Sequence, residues 1–464
     1  MASTDSAFVG HISDEVHSPS TYLAAAALSD MVVNVMLVPP LAFNQVLNAL
    51  VGQAIGSDNP KMAGLWLQQS MFWLASTMLP FLVGCFFVET ILIQLSFPRD
   101  VAYMAGIYAK YNVIWPIPNG LYQCMRFYFQ AQGIPRPAMY NNIVFLFVNA
   151  FLNYLFVFGG PFRTRGLGFI GAAISLSVSR TMQSVVYFCY MFLYKKHHLN
   201  TWPGLKWEIH TWARTSEFLR QSIPNIGTLL FQSAASQATT LLLGRLGEVP
   251  IAASSALSTV TLPWSGTVSA TSGMISSIRV GYHLGRGKAR AARKSSMLVL
   301  YSITTFCVVM SLAFIFFKTK LLSVATNDTE VLGMASALVP AMLASNYLSL
   351  LVGNITSGVF SGMGRPVIAT ILSFGLELPL SIGGVGIYIL FCHGNLLGVY
   401  WLQVLFSGIE AVIVLLILFR SDWQKSADEA RARQESDTLV ESESAPEEEA
   451  LLAEGDDVES SDDV

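Results

Sequence analysis

Long apolar runs recur along the chain, separated by short polar turns. Eleven can be bounded: Tyr22–Ile55, Leu65–Leu95, Val101–Phe129, Ala138–Phe158, Leu167–Leu193, Phe218–Leu243, Ile251–Ile278, Ala291–Phe316, Val331–Phe360, Val367–Cys392 and Leu396–Phe419. About 20 apolar residues in a helix cross a bilayer, and these runs are too long for strands. A span must also satisfy its backbone internally, which a helix does by itself. The pattern predicts an all-α polytopic membrane protein.

The runs are related in two sets. VGQAIG at 51–56 answers VGYHLG at 280–285, Val101 answers Val331, and Pro137 answers Pro366. LGFIGAAIS from Leu167 answers LGVYWLQVL from Leu397, and all four offsets are 229 or 230 residues. One long constant offset is a module duplicated in tandem, not a solenoid. Two helical bundles related by pseudo-twofold symmetry are a transporter architecture. Shifting Phe218–Leu243 back by that offset puts its partner mostly before Met1, and FVGHISDEV at 8–16 reads as the tail of that helix. The expectation is a twelve-helix design with most of its first helix missing here. Its parts are an N-terminal lobe over 1–194, a cytoplasmic linker over 195–216, a C-terminal lobe over 217–420 and a disordered acidic cytoplasmic tail over 421–464. The polar first twenty residues lack the basic and apolar regions of a signal peptide.

Charge orients the bundle. Arg286, Lys288, Arg290, Arg293 and Lys294 cluster in one connection, and Arg136 and Arg365 occupy repeat-equivalent turns. The linker adds Lys195, Lys196, Lys206 and Arg214 on the same side if helices alternate. That side is cytoplasmic by the positive-inside rule. It also places the sequon Asn327–Thr329 on the opposite face. From Asp428 onward the tail carries half of the 30 acidic residues, so the net charge of −3 hides a basic membrane body. Glu447 with Leu451 and Leu452 resembles an acidic dileucine sorting signal, which a Glu-rich tail would also hold by chance.

Enzyme chemistry finds no support. The five cysteines share no pair spacing, and the seven histidines form no metal motif. Gly166, Gly168 and Gly171 spell GxGxxG, but at the start of a membrane helix rather than after a strand. Close helix packing is the reading favoured there. No cofactor or metal is expected, and no nucleic acid. Function should reside in polar groups inside the membrane, where each is unfavourable unless it lines a cavity or pairs. Those are Asp30, Glu89, Glu377 and Glu410, with Lys110 and Arg180 as cations. Glu377 stands out because Pro379 frees a backbone carbonyl near it.

The blocks YLAAAALSD, NALVGQAIG, YAKYNVIWPIPNGLYQCMRFYFQAQGIPRP, SSIRVGYHLGRGKARAARK and FSGMGRP together resemble the multidrug and toxic compound extrusion family of eukaryotic type, from about Phe8 to Phe419. The resemblance implies two six-helix lobes forming a V around a central cavity. It implies export of amphipathic or cationic organic molecules in exchange for protons or sodium, by a monomer in the plasma or vacuolar/lysosomal membrane. The sequence departs from the family at its acidic positions. Gln232 and Gln237 stand where the seventh helix would carry Glu, Asn48 replaces an Asp, and Leu350 falls where the tenth helix would carry a carboxylate. An amide cannot exchange a proton at useful pH, so coupling would move to Glu377 or Asp30. The expected binding residues are Gln232, Gln237, Glu377, Asp30 and Asn48, in walls rich in aromatic residues and Met. The alternatives are a lipid or oligosaccharide flippase, for which Lys110 and Arg180 speak, and an inactive or regulatory membrane scaffold.

Overall fold

A computed structural model describes residues 5, 8–9, 12, 19–95, 97–160, 166–204, 211–323, 328–392 and 394–433. Among them there is helix and no strand. The first lobe contains α1 (Pro19–Gly56), α2 (Met62–Cys85), α3 (Val88–Gln94), α4 (Arg99–Asn112), α5 (Pro116–Ala131), α6 (Arg136–Phe158) and α7 (Gly168–Phe188). The second contains α8 (Trp212–Leu243), α9 (Glu248–Gly285), α10 (Ala289–Leu322), α11 (Thr329–Gly353), α12 (Pro366–Leu390) and α13 (Leu396–Arg420). These helices carry all eleven apolar runs, and those ending at Leu193 and Phe360 run on into π-type turns at Cys189–Tyr194 and Asn354–Phe360. Six helices among the described residues are each long and apolar enough to cross a membrane, or seven if the bent pair α2 and α3 is one span. The other runs fall short for a physical reason: α7, α8 and α9 carry many Ser and Thr, and the run Val101–Phe129 breaks into α4 and α5 at Trp115 and Pro116.

The duplicated motifs meet each other on the pseudo-twofold axis. A Cβ on Gly52 would sit 2.9 Å from the Ile278 carbonyl oxygen, and one on Gly281 would sit 2.9 Å from that of Ala49. One turn on, a Cβ on Gly56 would overlap the Tyr282 carbonyl, and one on Gly285 that of Gln53. Each contact is its partner's image under the repeat offset. The C-terminal ends of α1 and α9 therefore touch backbone to backbone. Gln53 Nε2 adds a bond to the Gly362 carbonyl at 3.0 Å, and Arg286 pairs with Asp58 at 3.9 Å. These are the ends that carry the basic connections, so the lobes are sealed on that side.

Two of the three glycines of the dinucleotide-like motif serve packing, while Gly168 takes a left-handed backbone with φ of 56°. A Cβ on Gly166 would overlap the Val157 carbonyl and one on Gly171 that of Phe156, so α7 starts tight against the end of α6. Their second-lobe counterpart Gly398 fits equally closely under the Tyr388 hydroxyl.

Two segments lie at the expected boundaries. Phe218, in the first turns of α8, packs into the first lobe: it is fully buried, stacked on Phe43 at 5.9 Å and Trp66 at 6.4 Å. The tail does not become disordered at 421, because residues 423–433 form a helix, α14. Its apolar positions Trp423, Ala427 and Ala430 fall three to four residues apart and are buried against the second lobe. Glu429 pairs with Arg365 at 3.1 Å and Arg433 with Glu217 at 3.4 Å. The acidic composition further along hid this short amphipathic stretch. Replacing Trp423 with Ala should lower stability by about 3 kcal/mol, the usual loss for a buried Trp, read as a fall in melting temperature in detergent. Asn327 and the dileucine-like Glu447, Leu451 and Leu452 lie outside the described residues.

Candidate functional site

The second lobe holds a cavity of about 440 Å³. Glu377 of α12 and Glu410 of α13 both line it, with Gln232 of α8 and Asn346 of α11. Local sequence explains how Glu377 reaches it. Pro379 cannot donate a backbone hydrogen bond, and α12 widens into π-type turns at Ser373–Glu377 and Leu380–Gly384. On α13 the lining residues Tyr400, Gln403, Ser407 and Glu410 recur at spacings of three and four, which is one helix face. Glu377 is hydrogen-bonded to Gln232 and to Ser373. The structure thus joins two expected residues, Gln232 and Glu377, and adds Glu410.

Other expected residues lie outside this cavity. Gln237 is exposed and does not line the cavity, because five residues beyond Gln232 is about 140° further round the helix. The wall is not rich in aromatic residues and Met: Tyr400, Phe406 and Met342 are its contribution, while Ser and Thr dominate. Leu350 is buried beside Ile303 and Cys307, on the face of α11 turned towards α10. Asn48 is buried in α1 one turn before Gly52, with Oδ1 unpartnered, away from this cavity.

The first lobe has its own polar cluster, centred on a residue that sequence reasoning missed. Asp5 is buried, and its Oδ1 accepts from Asn153 Nδ2 at 2.6 Å and Asn149 Nδ2 at 3.1 Å. Its Oδ2 is buried without a partner. Asn149 also donates to Ser179 Oγ at 3.2 Å. Asp30 lies close enough to repel Asp5, and both act electrostatically on the buried Tyr108. Arg180 feels the field of Asp5, so the first-lobe cation belongs to this cluster, while its repeat equivalent Glu410 serves the second-lobe cavity. The available signal was the pair Asn149 and Asn153, four apart on an otherwise apolar helix. Lys110 is placed differently: it sits 4.0 Å from Glu89, a pair at the lobe edge.

Two helical lobes sealed along a repeat axis, each with carboxylates inside the membrane body, define an integral multi-pass membrane protein built as a transporter. The chain belongs to the MatE family, whose model matches residues 1–155 and 224–382. Among its relatives is multidrug and toxin extrusion protein 1 of Homo sapiens, 28% identical over 92% of this chain and 72% of that protein. Another is protein DETOXIFICATION 16 of Arabidopsis thaliana, 26% identical over 93% of this chain and 86% of that one. The fold matches the crystal structure of the eukaryotic MATE transporter AtDTX14 with a TM-score of 0.79, at 21% identity, covering 93% of this chain and 94% of that one. An outward-facing multidrug resistance MATE transporter superimposes with a TM-score of 0.75, at 15% identity, over 93% and 92% of the two chains.

Proposed function

We propose that this transporter exports small organic cations by alternating access, driven by protons or sodium entering in exchange. Each lobe would supply one carboxylate pair: Asp5 with Asp30, and Glu377 with Glu410. A carboxylate pair inside a membrane body is unfavourable when both members are charged, and it is relieved by taking up a proton or a cation. That supports competition between coupling ion and substrate for the same groups, which is what exchange requires. The observation that carries the reading is the second-lobe cavity, which holds two carboxylates and, among the described residues, no Lys, Arg or His in its lining. The same observation speaks against a flippase for anionic headgroups, as does the pairing of Lys110 with Glu89.

The test is flux of a fluorescent organic cation into proteoliposomes, under a pH gradient, a sodium gradient and neither. Gradient-dependent accumulation is expected. Flux that ignores both gradients would sink the coupling, and no flux at all would favour the scaffold. Asp5→Asn keeps the shape of the first-lobe cluster and removes its exchangeable charge. It should weaken coupling, measured as a fall in the accumulation ratio with equilibrium exchange retained.

A further inference from the structure

We propose that the second-lobe cavity selects cations rich in N–H donors, protonated primary and secondary polyamines, over quaternary ammonium ions of the same charge. This deepens the transport reading and rests on it only for the claim that the cavity takes a cation.

The argument is the direction of the hydrogen bonds in the wall. Ser254, Ser258, Thr261 and Ser265 form one face of α9, and all line the cavity. Three of them use their own protons on the helix behind them: Ser258 donates to the Ser254 carbonyl at 3.0 Å, Thr261 to that of Leu257 at 2.9 Å and Ser265 to that of Thr261 at 2.9 Å. On α8, Thr239 donates to the Ala235 carbonyl and Thr240 to that of Ser236. A hydroxyl whose proton is so engaged presents only lone pairs to a ligand. With Glu377 and Glu410, these faces of α8 and α9 present acceptors around negative charge.

A quaternary ammonium has no proton to give such a wall and is recognised instead by aromatic faces. The aromatic residues here are Tyr400, whose hydroxyl is bonded to Ser254 at 2.9 Å, and Phe406, which packs against Gly384. An –NH3+ or –NH2+– group offers two or three donors per charge and suits the wall. Two carboxylates suit at least two ammonium groups. Asn346 Nδ2, buried without a partner, adds a donor that a hydroxyl or amide on the substrate would meet. The volume is that of a small-molecule site.

The experiment compares two probes of equal charge, spermidine and its analogue with every nitrogen fully methylated. Equilibrium binding to the purified full chain is measured by calorimetry in detergent. Charge-assisted hydrogen bonds predict that spermidine binds tighter by about tenfold or more. The double variant Ser258→Ala, Thr261→Val removes two acceptors at nearly constant volume and should bring the ratio towards one. Its melting temperature and gel-filtration profile check that it is folded, and Ser265→Ala repeats the test if it is not. Equal or tighter binding of the methylated probe overturns the proposal, and so does binding of neither or an unchanged ratio in the folded variants. Binding needs no gradient, so the two readings separate. A chain that prefers spermidine but moves nothing refutes transport alone, and one that moves cations without that preference refutes this inference alone.

Discussion

Glu377→Gln should lower accumulation driven by a gradient by about tenfold or more while leaving exchange of one substrate for another. The reasoning is local. Glu377 sits in a widened turn before Pro379, at the wall of the second-lobe cavity, hydrogen-bonded to Gln232. Gln preserves the volume and most of those bonds, so the cavity should survive. What it removes is the group that can hold a proton or sodium in one half of the cycle and an ammonium in the other. Losing one charge-assisted contact should lower driven flux by about tenfold or more. Glu410 still faces the cavity, which is why downhill exchange should persist. An accumulation ratio unchanged from the parent would remove Glu377 from the coupling path. Gln232→Glu is the sharper companion. It adds a carboxylate beside Glu377 and should strengthen proton coupling, visible as a steeper dependence of flux on the pH gradient. No gain would mean that coupling lies elsewhere, with Asp5 and Asp30 the next place to look.

Much of the fold was legible because membrane helices declare themselves. The apolar runs marked the helices, and the offset of 229 or 230 residues marked the two lobes. Candidate positions stood out where a charge interrupted an apolar run, as at Glu377 and Asp30; Glu410 stood out the same way but without an assigned role, until the cavity was seen. Asp5 escaped because it lies in a polar N-terminal stretch, where one more acid carries no information until Asn149 and Asn153 are seen to hold it. Gln237 falls outside the cavity because counting along a family pattern ignores helix phase, and phase decides which face a side chain takes. The hydroxyl wall was invisible for another reason. Ser and Thr are common in membrane helices, and only the cavity distinguishes the face of α9 that matters. The start of α14 was hidden by averaging, since a window over the acidic tail outweighs three buried residues.

The glycine seam gives the second large effect. Gly285→Val should open the cytoplasmic side and slow transport. A side chain at Gly285 meets the Gln53 carbonyl, and one at Gly56 meets that of Tyr282; both obstacles are backbone and cannot turn aside. Overpacking of this kind typically destabilises by about 1–3 kcal/mol, which shifts a two-state balance by about 5- to 150-fold. Because the clash exists only while α1 and α9 touch, it falls on the sealed state and not on the folding of each lobe. The readout is labelling of an introduced Ala49→Cys by an impermeant maleimide from the cytoplasmic side. Ala49 is buried in the seam, and its carbonyl faces Gly281. Labelling should rise in Gly285→Val and in its repeat image Gly56→Val, and by similar amounts, because the two contacts are symmetric. Gly266→Ala is the control: it lies on the same helix α9 with nothing within 4 Å of the added Cβ, so it should change neither labelling nor flux. If Ala49→Cys stays protected in both valine variants while the protein remains folded, the seam is a passive contact and the barrier to the cytoplasm must be made elsewhere.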